Sequence, residues 1–145
     1  MAEMYYIDTS ALLPYYREEI MSQKVENLLT SLQPPILISN LTKVEFTSAI
    51  SRWVGMRELN EIQANLLENT FSKDVNSGLF VCHEIMPIHF NQAEKWLSSR
   101  KTSLRTLDAL HMACSWDNVA KLITCDTIMH PVSYTHLTLP TICSV

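Results

Sequence analysis

Four carboxylates in this chain stand where a solvated acid would be out of place. Asp8 closes the apolar run Tyr5-Tyr6-Ile7, and Asp126 follows Leu122-Ile123-Thr124-Cys125, so both end an expected strand. Glu45 and Asp108 fall on helical stretches. Glu45 shares a line with Leu41 and Ala49 and is flanked by Val44 and Phe46; Asp108 lies between Leu107 and Ala109, with Leu104 and Met112 one turn away. Burying a carboxylate costs several kcal/mol unless it is paired or bound to a cation. Lys43 and Arg105 are the obvious local partners. Four acids in one crevice would repel one another without a counter-ion, and oxygen-only ligands suit Mg2+ or Mn2+. Such a site orients water, lowers its pKa and neutralises a phosphodiester under in-line attack, so the expected chemistry is metal-assisted phosphodiester hydrolysis.

The elements that must position these acids are legible from periodicity. Strand Tyr5–Ile7 runs through Asp8-Thr9-Ser10 into a helix from Ala11. A 3.6-residue apolar stripe predicts a helix from Glu18 to Leu32, ended by Pro34-Pro35. Ile36-Leu37-Ile38 is continuous and apolar, as in a strand buried on both faces. Ser39-Asn40 caps a helix from Leu41 to about Val54, with Gly55 as terminator. A helix over Asn60–Phe71, a strand over Leu79–Cys82, helices over Ile88–Ser98 and Leu104–Trp116, and a strand over Leu122–Thr124 complete the pattern. Strands separated by helical crossovers predict an α/β fold of three layers, a central parallel sheet with helices on both faces. Ligands in such folds bind beyond the carboxyl ends of the strands.

Composition narrows the function classes. With 145 residues, 47% of them hydrophobic and 18% charged, the chain suits one domain with a real core rather than a disordered one. It shows no apolar run of membrane-spanning length and no signal peptide at its start, which predicts a cytoplasmic protein with no membrane partner. A net charge of −4 argues against a binder that grips nucleic acid through a basic face, but not against an enzyme that meets phosphates through metal ions. Cys82, Cys114, Cys125 and Cys143 lack paired spacing and read as small hydrophobes. His111 and Cys114 lack two further ligands for a metal and read as a packed helix face. His83 and His89 read as exposed or capping, Trp53 as packing, and Tyr15 and Tyr16 as packing or part of a partner groove. Arg105, three residues before Asp108, is a candidate for a phosphate contact. A phospho-accepting receiver domain also clusters acids around Mg2+, but it would need a Lys after a late strand, and none follows Leu122.

Four segments, Tyr6–Leu12 (Tyr-Ile-Asp-Thr-Ser-Ala-Leu), Thr42–Phe46, Leu104–Ala113 (Leu-Arg-Thr-Leu-Asp-Ala-Leu-His-Met-Ala) and Leu122–Asp126, resemble in this order the PIN domain, most closely the VapC-like toxins of type II toxin–antitoxin pairs. The resemblance runs over Met1 to Met129. It implies a Mg2+- or Mn2+-dependent endoribonuclease with Asp8, Glu45, Asp108 and Asp126 as metal-binding acids, and Thr9 or Ser10 supporting the first of them. It further implies an RNA substrate, a homodimer and a small antitoxin partner. The alternatives are a PIN nuclease of RNA processing without an antitoxin, and a catalytically inactive PIN-fold binding module.

The last fifteen residues, Pro131–Val145, carry no charge and no clean periodicity. Read back into codons, Val132 to Thr141 can match, in one frame, a transposon-end adapter used for sequencing libraries. The expected organisation is therefore a PIN-like domain over residues 1–130, cut short of its last helix and edge strand, followed by a non-native tail over 131–145.

Overall fold

The structure, a computed structural model, describes residues 3–101 and 103–126 and a strand at Thr141–Cys143. In chain order the elements are β1 (Met4–Ile7), α1 (Thr9–Tyr16), α2 (Ser22–Ser31), β2 (Ile36–Ser39), α3 (Asn40–Gly55), α4 (Glu61–Asn76), β3 (Phe80–His83), α5 (Pro87–Ser98), α6 (Thr106–Asp117), β4 (Ala120–Thr124) and β5 (Thr141–Cys143). The strands form one parallel sheet in the order β3-β2-β1-β4-β5, with Tyr6 opposite Leu37 and Leu122, and Ile7 opposite Ile123.

Alternation along the strands builds the expected three layers. Ile7, Ile36, Ile38, Phe80 and Ile123 point to one face and pack with residues of α1 to α4; Tyr6, Leu37, Ala120 and Leu122 point to the other and pack with α5 and α6. Because successive strand residues face opposite ways, a run with no polar break buries both faces. The first face carries an aromatic cluster. Phe46 of α3 lies 4.4 Å from Phe71 of α4 and 5.4 Å from Tyr16 of α1, measured between ring centroids. Tyr15 and Tyr16 are thus packed, in T-shaped contact with each other and with Phe80 and Phe46 respectively. Trp53 is also buried, and the guanidinium over its ring is that of Arg17, at 4.1 Å.

Several boundaries differ from expectation for local reasons. The second helix begins at Ser22 rather than Glu18, because the Ser22 hydroxyl accepts from Glu19 N–H (2.7 Å) and donates to the Arg17 carbonyl (3.1 Å), which builds a turn. Gly55 is the last residue of α3, and the left-handed backbone that ends it belongs to Arg57 (φ 63°). α4 runs one turn past Phe71, to Asn76, before Gly78 takes a positive φ.

The expectation that the final edge strand is missing is corrected. β5 lies in the segment read as foreign and pairs in parallel with β4, Leu122 opposite Thr141 and Thr124 opposite Cys143. A bare β4 edge would leave a row of backbone donors and acceptors open, and the backbone of Thr141–Cys143 pairs with it. The expected loss of the last helix concerns residues outside those described.

Removing the Phe46 ring should create a cavity at the meeting point of α1, α3 and α4. Phe46→Ala is expected to lower unfolding free energy by about 3–5 kcal/mol in urea titration followed by circular dichroism.

Candidate active site

The strand order decides where a crevice opens. The chain leaves β1 on one side to form β2 and β3, then crosses back to form β4 on the other side of β1, so the carboxyl ends of β1 and β4 mark the switch point. Asp8 follows β1 directly, and its N–H donates to the Ile123 carbonyl at 3.1 Å. Asp126 lies two residues past β4, its N–H donating to Thr124 Oγ1 at 3.0 Å. Ser10 links the two strand ends. Its hydroxyl donates to Asp8 Oδ1 (2.7 Å), lies 3.2 Å from Thr124 Oγ1 and accepts from Cys125 N–H (3.1 Å).

Helix starts bring in the other acids. Asp8 is the N-cap of α1, with Oδ1 accepting from Ala11 N–H at 3.1 Å. Ser39 and Thr42 form a reciprocal capping box that starts α3 and fixes its phase, which turns Glu45 on the second turn toward the crevice. Asp108 sits in the first turn of α6. Two helix N-termini therefore meet carboxylates here, each worth about 0.3–1 kcal/mol in favour of the charged form.

The four acids, Thr9, Ser10 and Arg105 all line one open crevice of about 520 Å³. Asp8 is almost fully buried at 3% exposure, and loss of hydration lifts its pKa above the ordinary value, against the pull of His111 and of hydrogen bonds from Thr124, Ser10 and Ala11. Asp108 is also raised, first by burial and then by the charge of Asp126; Arg105, whose Nε stands 3.6 Å from Asp108 Oδ2, opposes the rise. Glu45 goes the other way. Burial raises it, but hydrogen bonding to His111, the charge of that imidazole and the Thr9 hydroxyl together hold it below the ordinary value.

Two details depart from the sequence reading. Ser10 supports Asp8, but Thr9 donates to Glu45 Oε1 instead, at 2.6 Å. Lys43 lines a groove between α3 and α4 and does not pair with Glu45; the partner is His111, whose Nε2 lies 2.5 Å from Glu45 Oε1. His111 was read only as part of a packed face. It is indeed 2% exposed, but it points a ring nitrogen into the acidic crevice, and the signal in the sequence was its position three residues, almost one helical turn, after Asp108. Cys114 is packed as expected, and no disulfide forms among the described cysteines. His89 is the expected cap, its Nδ1 accepting from Met86 N–H at 2.8 Å. Arg52, two turns after Glu45 on α3, is a further cation on the crevice wall.

The PIN domain profile matches residues 5–133. This chain belongs to the PIN domain family. Among solved structures, FitAcB from Neisseria gonorrhoeae superposes with a TM-score of 0.76 at 16% identity, covering 97% of this chain and 98% of that one. A toxin–antitoxin complex from Klebsiella pneumoniae gives 0.70 at 15% identity, over 97% and 98% of the two chains. VapC20 from Mycobacterium tuberculosis, described as a sarcin–ricin loop cleaving toxin, gives 0.67 at 14% identity, over 88% and 94%. No match is found among curated proteins.

The donor set of this PIN domain fits a hard divalent cation. Among the described residues no three His, Cys, Asp or Glu side chains form a group that could hold a metal ion. Mg2+ does not need three, since it keeps several waters and takes one or two carboxylates together with substrate phosphates. Glu45 Oε2 and Asp108 Oδ1 accept no hydrogen bond from the described residues and face an open crevice.

The raised pKa of Asp8 fixes the sign of a stability effect. The folded state holds the proton more tightly than the unfolded chain, so the contribution of Asp8 is fully present below its ordinary value of 3.8 and is lost as pH rises through the folded value. Asp8→Asn keeps the cap acceptor and removes the buried charge. In metal-free buffer at pH 7 it should raise the thermal midpoint above that of the wild type, and the gain should shrink as the pH is lowered toward the ordinary carboxylate range, as read by scanning calorimetry.

Proposed function

We propose that this PIN domain is a Mg2+- or Mn2+-dependent endoribonuclease, the toxin of a type II toxin–antitoxin pair. The observation that carries the reading is the convergence of Asp8, Glu45, Asp108 and Asp126 on one crevice at the switch point of the sheet. A site of four acids and few cations has little other use for so much negative charge, and the donor set suits hard metal ions.

In this reading the four acids together attract the cation and its waters, one or two of them as direct ligands, with Asp8 and Asp108 at the strand and helix ends and Glu45 and Asp126 beside them. When bound, the metal would supply a water of lowered pKa and neutralise the phosphodiester. Ser10 orients Asp8, and Thr9 and His111 orient Glu45. Arg105, with its side chain largely in solvent at the mouth of the crevice, is the residue for a phosphate of the incoming strand. RNA as substrate and an antitoxin as partner are supported by the descriptions of the M. tuberculosis and K. pneumoniae neighbours.

A homodimer is supported by an apolar groove where Leu41, Val44, Ile85, Phe90 and Leu110 meet, with Val44 and Phe90 more than half exposed. A cytoplasmic location fits both substrate and partner, and no helix among the described residues is long and apolar enough to cross a membrane. The domain assignment proposed is a PIN domain over residues 1–130 with an appended tail.

Purified protein should cleave RNA with Mg2+ or Mn2+ and stop when EDTA is added; equal cleavage in EDTA would remove the metal mechanism. Asp108→Asn should lower kcat at least about 100-fold, the scale on which loss of one preorganised charge-stabilising group is felt. Its far-UV circular dichroism should stay that of the wild type. Activity retained within a few fold would reassign the acids.

A further inference from the structure

Glu45 is tied down by a side chain from the opposite layer of the fold. Its Oε1 receives the Thr9 hydroxyl at 2.6 Å and His111 Nε2 at 2.5 Å, while Oε2 has no hydrogen bond from the described residues. An ionised carboxylate only accepts, so His111 Nε2 carries the proton in this contact. The other ring nitrogen is held too. His111 Nδ1 lies 2.7 Å from the Tyr6 hydroxyl, which donates to Ser39 Oγ at 2.9 Å. Tyr6 and Ser39 are fully buried, and the same Ser39 caps α3, the helix that carries Glu45. The chain Ser39, Tyr6, His111, Glu45 therefore crosses the sheet from the start of α3 to α6 and back to α3. Each link restricts rotation of the next.

From this geometry we infer that His111 is a positioning residue: it fixes the Glu45 carboxylate through Oε1 so that Oε2 is presented to a divalent cation in the crevice. The inference rests on the reading of Glu45 as one of the metal-holding acids. Long flexible carboxylates gain as ligands when a second hydrogen bond sets their orientation in advance, and loss of such outer partners typically weakens metal binding about 10–100-fold. Thr9 alone does not do this, because one hydroxyl leaves the carboxylate free to turn about that contact. His111 also places a donor, not a further anion, against a carboxylate that shares its crevice with Asp8 and Asp108.

The test is Mn2+ binding to the whole chain, measured by the loss of the free-ion electron paramagnetic resonance signal, with circular dichroism on the same samples. His111→Leu fills most of the ring volume but offers no donor. It should weaken Mn2+ binding about tenfold or more while the protein stays folded. His111→Gln, which restores an amide N–H, should recover most of that loss. In the Glu45→Ala background His111→Leu should add almost nothing, since both changes remove the same contact. If His111→Leu binds Mn2+ within about twofold of wild type while Glu45→Ala binds weakly, the role of His111 is overturned and the acidic site stands. If Glu45→Ala binds as the wild type does, the ligand assignment of Glu45 and the inference fall together. Should His111→Leu not fold, Tyr6→Phe deletes only the oxygen that holds Nδ1; it should weaken Mn2+ binding several-fold, and unchanged affinity would overturn the proposal.

Discussion

Holding the Asp8 carboxylate out of water at the end of the central strand sets the terms for the rest of this structure. β1 is flanked on both sides by other strands, and Asp8 at its carboxyl end is almost fully buried. A charge placed there needs compensation from close by. The chain supplies it in small pieces: the Ala11 N–H in the first turn of α1, the Ser10 hydroxyl, the Thr124 hydroxyl and the field of His111. These do not restore what hydration would give, and the carboxyl remains harder to ionise than in water. Local stability is given up at this point of the fold.

The other acids are handled differently, and the differences follow from where each is anchored. Asp108 sits at the positive end of α6 with an exposed arginine three residues earlier, so its partner is weak and screened. Glu45 stands a full turn into α3, beyond the reach of that helix's free N–H groups, and is held by side chains instead. One crevice therefore contains carboxyls pushed in opposite directions: Asp8 and Asp108 up, Glu45 down. Such a spread is a common property of sites that bind cations or move protons.

The layers matter because they make these contacts possible across large sequence distances. Glu45 and His111 come from helices on opposite faces of the sheet, and they meet only because the switch point leaves a gap beyond the strand ends. The aromatic cluster of Tyr16, Phe46 and Phe71 clamps α3 against α1 and α4 on one side. Tyr6 spans the sheet's other face to reach His111. β5 closes the edge next to β4, whose carboxyl end carries Asp126.

Local periodicity and short ordered motifs are enough to read the alternation of strands and helices, the parallel sheet, the four acids and the family. Asp8 and Asp126 were legible because a carboxylate closing an apolar strand is conspicuous, and Glu45 and Asp108 because they interrupt apolar helix faces. Which side chain holds which acid follows from the packing of elements far apart in the chain. Thr9 and Ser10 are adjacent in sequence yet bond to different acids, since successive side chains at the head of α1 point about 100° apart. His111 looked like packing because helical spacing says that a residue is buried, not what it is buried against. The edge strand at Thr141–Cys143 was missed for a related reason. Three residues carry too little pattern to declare a strand, and what makes them one is the unpaired backbone of β4, a partner that no local reading contains.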